Sequence, residues 1–324
     1  MTSYRFAACA SALAVALAAS AAGAEANDPL AAKFGARETI RSISLSPEGT
    51  HAVIVGPRPD GGENALVIAL APGGAVVPIF SSKGRTEQIT WCFFVTEARV
   101  ICELYLREGS NADVEAATRL VSLAADGSEM KLLSADATAN AYYNARNGGD
   151  IIDYNVPGKP NSVLMTRWFA PEFQTGTLRS SAPPGLAVEE VDVATLDRRR
   201  VETARESAVW YATDGHGNVR LMGTRPTMQS GYAKREINFF YRPPSGGQWA
   251  DLSSMTIEAG QGHGFQPIAV DAARNVVYGF DDKEGFQSLF ERTLDGSNAT
   301  TLVLGRDGVE IDNLIRIGRN QRIV

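Results

Sequence analysis

His51, His216 and His263 are the chain's three histidines, so acid–base chemistry by imidazole must pass through one of them. Each falls at a turn or loop position. A serine nucleophile on a strand-to-helix elbow takes the form G-x-S-x-G, with its acid and histidine later in the chain. No G-x-S-x-G occurs in these 324 residues, and no catalytic residue is assigned. Asp150, Asp153, Glu189 and Glu190 could include a carboxylate that binds a peptide amino terminus, but spacing alone does not place them together. Gly260-Gln-Gly-His-Gly264 has the glycine content of a phosphate cradle. No helix pattern follows it to supply N-terminal amides, so it reads as a flexible loop. Asp281-Asp-Lys-Glu284 lacks the alternating oxygen spacing of a calcium loop and reads as a solvated hairpin tip. No cofactor and no metal site is expected.

Sulfur chemistry depends on compartment. Met1 to Phe6 carries one arginine and no acid, Ala7 to Ala22 is apolar, and Ala22-Gly23-Ala24 puts small residues at −3 and −1 before Glu25. That order is a secretory signal peptide over residues 1–24. The apolar run is short for a membrane span, which needs about 20 residues. The expectation is a mature chain that is periplasmic or secreted, with no membrane association after cleavage. Cys92 and Cys102 then remain. The stretch Ile89 to Glu103 reads as a hairpin turning at Thr96 to Arg99, which puts the two sulfurs on neighbouring strands within a residue of opposite. An oxidising compartment permits a disulfide between Cys92 and Cys102; two buried free thiols are the alternative. Two thiols with no nearby histidine fall short of the four ligands zinc needs.

The elements that must position these groups are strands. Arg41 to Val55 reads as strand, turn, strand: Ile43 and Leu45 alternate with serines at the period of a half-buried strand, Ser46-Pro47-Glu48-Gly49 supplies turn chemistry, and Val53-Ile54-Val55 begins the next strand. Variants of this unit recur. First turns fall near residues 48, 97, 147, 216, 273 and 320, and second turns near 72, 126, 196, 245 and 295. Most spacings are about 50 residues, and four short strands per repeat of that length mark a β-propeller blade. A stretched interval between 147 and 216 contains Trp168 to Gly185, read as a loop insertion in the third blade. The expected fold is all-β, a propeller of about five complete four-stranded blades plus part of a sixth. Residues 25–36 form a lead-in segment and 37–324 the partial propeller. A β-sandwich is the rival, but it does not repeat at this period.

The formal net charge of −6 argues against nucleic acid as a partner, because phosphate binding needs a basic face. Arg198-Arg199-Arg200 is a dense basic run, and following Asp197 at a turn it reads as a solvated hairpin tip.

Phe34-Gly-Ala-Arg-Glu38 leading into Ile43-Ser-Leu-Ser-Pro-Glu-Gly-Thr50 resembles the start of the N-terminal propeller in exported bacterial members of the prolyl oligopeptidase family of serine peptidases, whose branches include dipeptidyl-peptidases and acylaminoacyl-peptidases. The Trp91-Cys92 to Cys102 hairpin, Tyr211-Ala-Thr-Asp-Gly-His-Gly-Asn-Val-Arg220, Phe265-Gln-Pro267 and Val309 to Gly318 are similar in place and order, so the resemblance covers most of residues 28–324. In that family the propeller restricts entry to short peptides, and hydrolysis belongs to an α/β-hydrolase domain that follows. The resemblance therefore implies a substrate-gating propeller without the active site, in a fragmentary or truncated chain. Its expected partners are short peptides or a missing C-terminal α/β-hydrolase domain. The alternative is a stand-alone periplasmic propeller that binds a ligand or protein partner.

Overall fold

The computed structural model describes residues 34–35, 38–59, 61–84, 86–108, 114–173, 183–318 and 322–323. The chain divides into two compact units, Met1–Thr39 and Ile40–Val324. The signal-peptide and lead-in readings fall almost wholly outside the described residues, and all the sheets belong to the second unit, Ile40–Val324.

Strands pair with their sequence neighbours throughout. The first sheet is β1 (Ser42–Leu45), β2 (His51–Pro57), β3 (Glu63–Ala69) and β4 (Val76–Ser81). The second is β5 (Glu87–Thr96), β6 (Arg99–Glu108), β7 (Glu115–Ala124) and β8 (Lys131–Leu132). The third is β9 (Ile151–Asp153), β10 (Ser162–Phe169), β11 (Gly185–Asp192) and β12 (Arg198–Arg205). The fourth holds β13 (Ala208–Thr213), β14 (Val219–Thr224), β15 (Glu236–Tyr241), β16 (Ala250–Glu258) and β17 (Gln261–His263). The fifth holds β18 (Gln266–Asp271), β19 (Val276–Lys283), β20 (Phe286–Thr293) and β21 (Thr300–Leu304). A two-stranded sheet, β22 (Arg316–Ile317) and β23 (Arg322–Ile323), begins a sixth. Every pairing is antiparallel. The architecture is an incomplete β-propeller whose sheets, among the described residues, do not close into a ring.

Alternation along each strand gives each blade two apolar faces, and the core is the set of seams between successive blades. Val53, Val55 and Val67 meet Cys92, Phe94 and Leu123 at the first seam. At the second, Val95, Ile101 and Leu120 meet Val163, Met165 and Val191. Leu164 and Val188 then pack on Tyr211 and Met222, and Leu221 and Phe239 on Phe265 and Val277. Val276, Tyr278 and Leu289 pack against Ile311, Leu314 and Ile323. Neighbours such as Leu164 and Met165, or Leu221 and Met222, serve opposite seams, as the two-residue period demands.

Three sequence expectations need correction. In β1 the alternation holds, but Ile43 and Leu45 are the exposed side, at 56% and 59%. The serines face inward: Ser44 Oγ accepts from the amide of Phe94 at 3.4 Å, and buried Ser46 accepts from that of His51 at 3.1 Å. Ile43 pairs with Ile54, Ile54 with Leu66 and Leu66 with Pro78, so one apolar row crosses the first sheet on the face away from the first seam. In the third blade the first hairpin turn is not at Arg146 to Gly149. Those residues precede β9, and the β9–β10 turn runs through Val156-Pro157-Gly158-Lys159, with the amide of Lys159 donating to the carbonyl of Val156 at 3.0 Å. Moving that turn shortens the stretched interval. The insertion stands as the β10–β11 connection, of which 174–182 lie outside the described residues. Finally, Gly260 to Gly264 is not a flexible loop. Ala259 (φ 48°) and Gly260 (φ 87°) make a two-residue turn with both φ positive, and β17 folds back on β16 as a fifth strand.

Candidate functional site

The innermost strands of neighbouring blades stand side by side, so side chains from β9, β13 and β18 line a shared wall. Between them lies a cavity of about 190 Å³, bounded by Ile152, Tyr154, Trp210, Thr213 and Ile268, with Arg316 of β22 at one edge. The lining mixes apolar and polar surface in similar measure, with aliphatic and aromatic side chains beside Thr213, Asp214 and Arg316. Trp210 is held edge-on by Phe239, with centroids 6.1 Å apart and planes at 89°, a favoured aromatic arrangement. Tyr154 sits 5.7 Å from Phe93, which lies 5.3 Å from Trp91, so an aromatic strip continues onto β5. Burial, with the Glu103 charge adding to it, pushes the Tyr154 phenol above its ordinary range, so it stays neutral. Arg316 is exposed, and its Nη2 donates to the carbonyl of Ile268 at 2.8 Å.

The polar groups beside this wall are committed to holding turns. Asp214 Oδ1 accepts from the amides of His216 (3.0 Å) and Asn218 (3.3 Å), while Oδ2 accepts from Asn218 Nδ2 (3.0 Å). Arg220, fully buried, places Nη1 3.8 Å from the same Oδ2. Asp153 accepts from the amides of Asn155 (2.8 Å) and Gly217 (2.9 Å). Burial raises its carboxyl above the usual range despite these bonds, and the Asp214 charge adds to the rise.

The histidines are not brought together. His51 Nδ1 lies 2.8 Å from Thr50 Oγ1, whose hydroxyl donates to Glu97 Oε2 at 2.8 Å. The hydroxyl proton is thus spent on the carboxylate and the imidazole must donate to Thr50, the reverse of a base activating a nucleophile. His216 Nδ1 faces the carbonyl of Asp214 at 2.9 Å and so donates too. His263 is exposed on β17. A larger, shallower hollow of about 440 Å³ lies over Pro47, Glu97 and Pro157; Glu97 there already holds Thr50 and the Glu48 amide, at 2.8 and 2.6 Å. Among the described residues no three His, Cys, Asp or Glu side chains are grouped as metal ligands would be.

Asp150, Asp153, Glu189 and Glu190 do not form an amine-binding pair. Asp150 accepts from Thr166 Oγ1 at 3.2 Å. Glu189 pairs with Arg198 (2.9 Å) and Arg167 (3.5 Å). Burial pushes Glu190 up, but Lys159 and Arg199 outweigh it and hold the carboxyl below its ordinary value. The arginine run is accordingly no free tip: Arg198 and Arg199 make these pairs within the third blade, Arg198 also reaches the carbonyl of Leu133 in the second, and Arg200 lies 4.2 Å over the Phe169 ring. Asp281 to Glu284 does form a hairpin tip, at the end of β19. Cys92 and Cys102 are direct cross-strand partners joined by a disulfide, both fully buried in the first seam.

No family model and no curated protein matches the chain. Solved structures do. An acylaminoacyl peptidase from Pyrococcus horikoshii has 12% identity and a TM-score of 0.44, covering 86% of this chain and 41% of its own. The β-propeller domain of the Trilobed protease from Pyrococcus furiosus has 11% identity and a TM-score of 0.43, covering 86% and 76%. An acylaminoacyl peptidase in complex with Z-Gly-Gly-Phe-chloromethyl ketone has 11% identity and a TM-score of 0.44, covering 86% and 41%. The likeness is one of fold. This chain spans 41% of the length of either acylaminoacyl peptidase.

The sequence pattern picks out the Tyr211 to Arg220 stretch, which supplies the turn beside the cavity. It does not single out Tyr154, Trp210 or Arg316 as lining. The signal available for them is their place on, or just after, the innermost strand of each repeat, and it becomes readable only once the third blade is phased correctly.

Proposed function

We propose that this chain is a non-catalytic, substrate-gating propeller that admits short peptides along the wall built by its innermost strands. The observation that carries this reading is the cavity between β9, β13 and β18, with its aromatic and aliphatic lining and its nearby carboxylates already spent on turns. Such a lining offers a peptide apolar contact at Trp210 and Ile152 with polar groups beside it, and no serine, cysteine or histidine stands among its residues. Hydrolysis would belong to an α/β-hydrolase domain, with a nucleophile elbow that these 324 residues lack. The reading includes export: the order of charge, apolar run and small residues before Glu25 supports cleavage there and a periplasmic or secreted mature protein. N-terminal sequencing of protein recovered from an exporting host tests that part, with Glu25 as the expected first residue.

Peptide admission is tested by titrating purified protein with apolar peptides of three to five residues while following tryptophan emission, beside a fluorophosphonate probe and chromogenic peptide substrates. Saturable quenching that is lost in Trp210→Leu, without labelling or turnover, is expected. Serine labelling or turnover would overturn the non-catalytic assignment, and absence of any peptide response would overturn the admission role.

A further inference from the structure

The charge pattern around the cavity is asymmetric. One acidic and one basic side chain line it, Asp214 and Arg316. Asp214 is 5% exposed, and both of its oxygens accept bonds from its own turn. Its charge is shared with those donors and with Arg220, whose Nη1 lies 3.8 Å from Oδ2. Arg316 is the opposite case. A guanidinium offers five N–H donors, one of which goes to the carbonyl of Ile268. Among the described residues no carboxylate lies within ion-pair distance of it, and burial of part of the side chain lowers its pKa. It stands at the edge of the cavity on β22, while the interior is lined by Ile151, Ile152, Trp210 and Val270.

We propose that this cavity binds the C-terminal residue of a peptide, taking an apolar side chain against Trp210 and Ile152 and the free carboxylate at Arg316. The inference rests on the peptide-admitting reading above and deepens it. An amino terminus is disfavoured at the same place, because an ammonium would meet a guanidinium. The size agrees with a single residue: about 190 Å³ is less than the roughly 300 Å³ at which pockets begin to enclose drug-sized ligands. Arginine matches a carboxylate with two parallel N–H bonds where lysine offers a point charge, so the identity of the cation matters as well as its sign.

The test compares N-acetyl-leucine, N-acetyl-leucinamide and leucinamide as probes, by calorimetry and tryptophan emission, on the wild type and on Arg316→Gln and Arg316→Lys. Thermal melting checks that the variants fold; the side chain is exposed, so they are expected to match the wild type. The free acid is expected to bind at least tenfold more tightly than the neutral amide, with leucinamide weakest. Arg316→Gln should remove the preference for the acid, bringing its affinity down to that of the amide, and Arg316→Lys should restore the preference in part. Equal binding of acid and amide would overturn the carboxylate assignment while leaving peptide admission standing. Acetate binding as tightly as N-acetyl-leucine would overturn the side-chain half. A response to longer peptides and to none of the three probes would sink this inference alone. Silence toward all peptides would sink the admission reading with it.

Discussion

The amide of Gly217 donates to Oδ2 of Asp153 at 2.9 Å, joining the first hairpin turn of the fourth blade to the innermost strand of the third. Gly217 has φ +78°, and a Cβ there would sit 2.7 Å from Cδ of Pro157, a ring that cannot swing away. Gly217→Ala therefore meets both a strained backbone and a clash at one blade junction. It is expected to lower stability by about 1–3 kcal/mol, read as a lower urea midpoint. A midpoint unchanged from wild type would show that the junction yields freely.

The same carboxylate sets a pH dependence. Asp153 is buried, which raises its folded pKa above the unfolded value of about 3.9. The folded state therefore holds the proton more tightly than the unfolded chain. Stability linked to this proton is fully present below the unfolded value and is lost as pH rises through the folded one. Asp153→Asn carries no such proton. The wild-type urea midpoint, measured against that of Asp153→Asn, should fall between pH 4 and pH 7, and a flat difference over that range would contradict the assignment.

Arg220 is fully buried and bridges two blades, donating through Nε to the carbonyl of Arg242 (2.6 Å) and through Nη2 to Asn275 Oδ1 (2.8 Å). Arg220→Met keeps most of the volume but strands the buried Asp214 without its cation. Removing one partner of a buried pair costs about 3–5 kcal/mol. Chemical denaturation should show a loss of that size, and a loss below about 1 kcal/mol would mean that solvent reaches Asp214.

The disulfide closes a short loop inside the first seam. Replacing both cysteines by alanine relaxes the unfolded chain and removes two buried sulfurs, for an expected loss of roughly 2–3 kcal/mol. Reductant should lower the melting temperature of the wild type toward that of the double variant and leave the variant where it is. Equal sensitivity of both to reductant would point to a different cause.

Much of the fold could be read from the chain because its turns carry their own chemistry. Ser46-Pro47-Glu48-Gly49 and Asp214-Gly215-His216-Gly217 mark tight turns by residue type, and most of the strand groups so delimited match the observed strands, β17 excepted. Arg146-Asn147-Gly148-Gly149 looks equally like a hairpin turn, yet it serves a connection between blades, because local turn preference does not say which strands a turn joins. Ala259-Gly260 lacks the Asn-Gly or Asp-Gly that usually announces a two-residue hairpin, so β17 left little trace. Ile43 and Leu45 show a further limit. Alternation reveals that a strand has two kinds of face, while which face is covered depends on the neighbouring sheet. The buried pairings of Glu189, Glu190 and the Arg198 to Arg200 run are set by cross-strand register between β11 and β12, which residue type alone does not express. Arg316 lines the cavity through the meeting of β22 with β18, a tertiary relation with no local sequence mark.

The apolar seams each join one sheet to its successor, so the molecule behaves thermodynamically as a row of units with nearest-neighbour coupling. The second to fifth sheets are each gripped on two sides, whereas among the described residues the β1–β4 sheet, with its Ile43–Ile54–Leu66–Pro78 row outward, and the short β22–β23 sheet are each gripped on one. Opening free energies in such a row are graded, lowest at the singly gripped sheets and highest in the interior. The Asp153–Gly217 junction and the β9, β13 and β18 wall of the cavity lie in that interior, while Arg316 stands on β22 at an end. The proposed peptide cavity thus draws its apolar wall from the most persistent part of the array and its cation from an end of it, so the wall should outlast the cation's placement as the structure begins to fluctuate.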